Sequence, residues 1–86
     1  MLTGNQCSAA RALLRWNQGD LSEAIKANGG KLSVTAITAF ERGGAIRESN
    51  AKLIETALIK AGIVFIPENG GGAGVRLRDA NTGKEQ

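Results

Sequence analysis

Apolar residues recur three and four positions apart through most of the chain, and glycine, asparagine and serine fill the gaps between such stretches. Cys7, Ala10, Leu13 and Leu14 make the first stripe, which predicts a helix running to Trp16. Thr3 followed by Gln6 is a capping-box pattern for its start. Arg11 and Arg15 lie one turn apart on another face. Asn17 is a natural N-cap for a second helix over about 18–26, with Leu21, Ala24 and Ile25 inward. Asp20 and Glu23 sit near its amino end, where negative charge suits the helix dipole. Asn28-Gly29-Gly30 stops it. Leu32 restarts the pattern, and Ser33 caps a third helix that reaches about Glu41. Ile37 and Phe40 are its inward pair, while Val34, Thr35, Thr38 and Ala39 fall on the opposite side. Gly43-Gly44 ends it. Ser49 or Asn50 is expected to cap a fourth helix to Ala61, with Leu53, Ile54, Ala57, Leu58 and Ala61 as its stripe.

After Gly62 the period changes. Ile63-Val64-Phe65-Ile66 is a short β-branched and aromatic run that predicts a strand, ended by Pro67. A glycine-rich loop over 69–74 leads to Val75-Arg76-Leu77-Arg78, which alternates apolar and basic. The two runs are expected to pair as a hairpin. Ile63 and Phe65 face one side, Val64 and Ile66 the other, and two apolar faces exceed what an isolated hairpin needs. Ile63, Val64, Phe65, Ile66, Val75 and Leu77 are therefore expected to meet a second subunit. The alternative is packing on the fourth helix within one chain. The expected organisation is a mainly α domain over 1–62, a β element over 63–78 and a polar, disordered tail over 79–86.

Composition narrows the chemistry. A chain of 86 residues is one domain, and 42% hydrophobic content is too high for a disordered one. No apolar run approaches the roughly 18 residues of a membrane span, and no signal-peptide pattern opens the chain. A single cysteine, Cys7, makes no internal disulfide, which points to the reducing cytoplasm. There is no histidine, so no Cys–His or Ser–His nucleophile pair and no ordinary zinc set can be assembled. An enzyme is not expected, and no catalytic residue, metal, cofactor or small-molecule ligand is assigned. A net charge of +3 is compatible with a polyanionic partner.

Two short helices joined by a glycine-containing turn, over 17–43, fit a helix-turn-helix unit, although their spacing alone fits an ordinary helical bundle better. Gln18, Leu21, Leu32, Ser33, Ile37, Glu41 and Gly43 stand in the pattern of the phage lambda repressor and Cro-like helix-turn-helix family, which includes many XRE-type regulators, and the chain resembles that family over most of residues 2–78. Two departures accompany the resemblance. Lys26-Ala27-Asn28-Gly29-Gly30-Lys31 stands where the pattern has about one residue, and Ser22 stands at the helix crossing where alanine is usual. The resemblance implies a four- to five-helix DNA-binding domain whose third helix enters the major groove.

It also implies roles. Gln18 is expected to bond a phosphate or to brace a base-reading side chain, and Ser33 to cap the third helix and touch phosphate. Val34, Thr35, Thr38 and Ala39 are expected to face base edges, with methyl groups against thymine methyls. That face lacks Arg, Gln and Asn, so part of the specificity is expected from DNA shape. Arg42 and Lys31 are expected near phosphates, and Arg47 near a phosphate or in the minor groove. The implied function is a dimeric regulator, expected to repress from a palindromic operator. An antitoxin, a recombination-directionality factor and a protein–protein adaptor using the apolar third-helix face remain open alternatives.

Overall fold

Residues 2–68 and 70–79, described by a computed structural model, form a mainly helical chain closed by a small sheet. Its elements are α1 (Gly4–Leu14), α2 (Gln18–Ala27), α3 (Val34–Glu41), α4 (Glu48–Lys60), β1 (Ile63–Ile66) and β2 (Gly74–Leu77). Of the tail expected to be disordered, all but Asp79 lies outside the described residues.

Local chemistry sets most of the helix ends. Thr3 and Gln6 form the reciprocal capping box of α1, and Asn17 with Asp20 forms another at α2. Ser33 Oγ accepts from the Ala36 N–H at 3.1 Å and caps α3. Two ends differ from the sequence pattern. α1 stops at Leu14 rather than Trp16, because Arg15 turns left-handed at φ 60°. The Arg15 and Trp16 N–H groups then fold back onto the Ala12 and Arg11 carbonyls at 3.1 and 2.8 Å. Arg15 is exposed, whereas the Arg11 side chain, within α1, is 15% exposed and turns inward. α4 starts at Glu48, with Arg47 as an N-cap that makes no side-chain bond, instead of at Ser49 or Asn50. The earlier start joins the Ala51 N–H to the Arg47 carbonyl at 2.9 Å and buries Ala51 in the helical register.

Four helices and one strand supply a single core. Cys7, Ala10 and Leu14 of α1 meet Leu21 and Ile25 of α2, Ile37 and Phe40 of α3, Ile54, Ala57 and Leu58 of α4, and Ile63 of β1. Each fully buried large aliphatic side chain contributes about 1.5–3 kcal/mol. Gly4 permits a close approach of α1 to α3. A Cβ there would fall on the Phe40 carbonyl oxygen and lie 3.0 Å from Glu41 Cα.

The inserted turn is ordered by two devices. α2 runs on to Ala27, after which Gly29 adopts φ 90° and the Gly29 and Gly30 N–H groups bond the Lys26 and Ile25 carbonyls, each at 3.0 Å. Ser22 Oγ donates to the Leu32 carbonyl at 2.7 Å, tying the far side of the turn to α2. The two departures from the helix-turn-helix pattern are thus linked: the serine supplies the donor that the longer turn uses.

β1 and β2 pair antiparallel within one chain, with Ile63 opposite Leu77, Val64 opposite Arg76, Phe65 opposite Val75 and Ile66 opposite Gly74. Alternation puts Ile63, Phe65, Val75 and Leu77 against the chain's own core. This corrects the expectation for Ile63, which is 2% exposed and has no surface left for a second subunit. Gln6 Nε2 donates to the Gly74 carbonyl at 3.1 Å and pins β2 to α1. Val64 is half-buried and Ile66 is exposed.

Candidate nucleic-acid interface

The inner face of α3 is anchored by Ile37 and Phe40, both in the core. Three and four residues per turn then turn Val34, Thr35 and Ala39 outward, and all three are exposed. Thr38 is half-buried at the edge of that face. Ser33 and Arg42, the N-cap and C-cap of α3, are exposed at its two ends. Lys31 and Arg47 are exposed on the loops that precede and follow the helix. Neither they nor Arg42 form an ion pair with another described residue.

Beneath this face lies a polar cluster built on Glu41. Arg11 clamps its carboxylate through Nε to Oε2 and Nη2 to Oε1, both at 2.7 Å. Arg11 Nη1 also donates to the Trp16 carbonyl at 3.0 Å, closing the corner between α1 and α2. Cys7 Sγ donates to Glu41 Oε2 at 3.1 Å. Gln18 Nε2 donates to Glu41 Oε1 at 3.0 Å, and Gln18 Oε1 accepts from Thr38 Oγ1 at 2.6 Å. Four polar side chains from α1, α2 and α3 are thereby satisfied around one carboxylate, whose side chain is 7% exposed.

The cluster sets protonation states. Burial pushes the Glu41 carboxyl up, but hydrogen bonds from Arg11, Cys7 and Gln18 and the charge of Arg11 outweigh it, so its pKa lies below the ordinary carboxylate value. Burial raises the Cys7 thiol, and the hydrogen bond and charge of Glu41 raise it further, so the thiol stays neutral. The Glu41 hydrogen bond raises Arg11 in turn.

Of the residues singled out in the sequence, α3 carries Val34, Thr35, Thr38 and Ala39 together, and Gln18 reaches Thr38 from α2. Gln18 is half-buried and its amide links Thr38 to Glu41. Arg11 and Cys7 were not legible as partners of Glu41. They stand 30 and 34 residues from Glu41, and only the tertiary fold joins them. Ile59 is also exposed, on α4, and lines a shallow groove with Leu2, Phe65, Ile66 and Pro67.

Among the described residues no group of His, Cys, Asp and Glu is placed to hold a metal ion. No described helix is long and apolar enough to cross a membrane. No family model matches the sequence, and no curated protein matches it significantly.

Proposed function

We propose that the chain is a sequence-specific double-stranded DNA-binding regulator of the lambda repressor and Cro-like type, acting in the cytoplasm as a dimeric repressor on a palindromic operator. The observation that carries this reading is α3 itself. Its buried side is fixed by Ile37 and Phe40, its outer side holds short side chains, and cations with no ion pair among the described residues flank both of its ends. A helix with short outward side chains can lie close against base edges, and flanking cations suit the phosphates on either side of the groove. No enzymatic role enters this reading.

A dimer would place two copies of α3 one helical turn of DNA apart. Of the residues expected to meet a second copy, Ile66 is exposed, and it lines one groove with the exposed Ile59 of α4. Repression then follows from occupying a promoter.

Selection of bound duplexes from a random DNA pool tests the reading. The expected product is a palindromic consensus with half-sites about one turn apart. A pool that shows no enriched sequence overturns it and favours the adaptor reading of the Val34 face.

A further inference from the structure

Hydrogen-bond direction is forced along the chain of side chains that ends at Thr38. Arg11 has only donors, and the ionised Glu41 carboxylate has only acceptors. Gln18 can therefore offer Glu41 nothing but its amide nitrogen, which it does at 3.0 Å. Its carbonyl oxygen is left facing Thr38, and an amide oxygen only accepts. The single hydroxyl proton of Thr38 must point at it, across 2.6 Å. Thr38 is half-buried at the edge of the exposed α3 face, and with its proton committed to Gln18 the hydroxyl can offer a group that meets it there only lone pairs.

Base edges in the major groove divide by the same property. Adenine N6 and cytosine N4 are amino donors, whereas guanine O6 and thymine O4 are acceptors. We propose that Thr38 is a specificity-determining residue that accepts from a base amino group, adenine N6 or cytosine N4, and rejects a keto base, its polarity being set by Arg11 through Glu41 and Gln18. This rests on the DNA-binding reading above. Gln18 is the positioning residue. Thr35, one turn away on the same face, has no such brace among the described residues and keeps both donor and acceptor capacity.

The test uses the full chain and the best duplex from the random pool. Adenine is replaced by purine, and cytosine by 2-pyrimidinone, one position at a time, so that only the amino group is removed. Wild type is expected to lose roughly fivefold to tenfold in affinity at one position per half-site. Thr38→Val, which keeps the shape of the side chain, should be insensitive to that replacement. Thr38→Ser should restore the sensitivity. Gln18→Met releases the hydroxyl proton and should shrink the penalty to roughly twofold. Binding in which no amino replacement is coupled to Thr38, or in which the coupled group is guanine O6 or thymine O4, overturns the inference and leaves the DNA-binding reading intact. A chain that binds no duplex at all overturns both.

Discussion

Arg11 of α1 grips Glu41 at the end of α3 with two parallel hydrogen bonds of 2.7 Å, across 30 residues of sequence. The pair lies under the exposed face of α3 and couples the position of that helix to α1. Its side chains are 15% and 7% exposed, so neither charge has water as an adequate substitute for the other.

Arg11→Ala is expected to lower unfolding free energy by about 3 kcal/mol, because it strands a buried carboxylate. The double replacement Arg11→Met with Glu41→Leu should recover most of that loss, since no charge is then left unpaired. Urea unfolding of the two variants checks this. A double variant no more stable than Arg11→Ala would show that the pair is not the source of the loss.

Stability should fall at both ends of the pH range for identifiable reasons. Glu41 has a folded pKa below its unfolded value, so its contribution is complete above the ordinary carboxyl range of about 4.3 and is lost as pH falls through the lower folded value. Cys7 has a raised folded pKa, so stability declines as pH rises above the unfolded thiol value of about 8.5. Thermal melts against pH should lose part of the acid limb in the Met/Leu double variant and part of the alkaline limb in Cys7→Ala. Parallel curves in wild type and variants would contradict the assignment.

Gly4→Ala should destabilise the chain by about 1–3 kcal/mol, a typical overpacking cost. The added methyl meets backbone, the Phe40 carbonyl and Glu41 Cα, rather than a side chain that can swing away. Gly29→Ala meets no atom within 4 Å, but its φ of 90° is strained for any side chain, so it is expected to cost about 1 kcal/mol. Melting temperatures that rank Gly29→Ala below Gly4→Ala would reverse this expectation.

If the chain binds DNA as proposed, Thr35→Ala should weaken binding to the selected operator more than binding to random duplex, since Thr35 is exposed on the outer face of α3. Arg42→Ala should weaken both and reduce the salt slope by about one contact. Titrations at several salt concentrations measure both effects. Equal losses on the two DNAs would remove Thr35 from base readout, and an unchanged slope would remove Arg42 from phosphate contact.

Much of this was legible in local patterns. The caps at Thr3, Asn17 and Ser33, the inward pairs Leu21–Ile25 and Ile37–Phe40, and the strand at Ile63–Ile66 all follow from periodicity and capping chemistry, which act over a turn or two of chain. The start of α4 was not legible, because Arg47 provides no side-chain cap and the helix begins where Ala51 can be buried.

Sequence alone determined which residues could line the outer face of α3, because a helix of 3.6 residues per turn with Ile37 and Phe40 inside leaves Val34, Thr35 and Ala39 outside. It also marked residues 26–31 as extra to the helix-turn-helix pattern, and left open whether they lengthen α2 or the loop; the structure gives Lys26 and Ala27 to α2. Only the tertiary structure decided that Ser22 clips that turn, that Ile63 belongs to the chain's own core, and that the Thr38 hydroxyl is braced through Gln18, Glu41 and Arg11. Periodicity records which way a side chain points relative to its own helix. It carries no information on which donor from a distant helix will meet it, and the direction of a hydrogen bond depends on that partner.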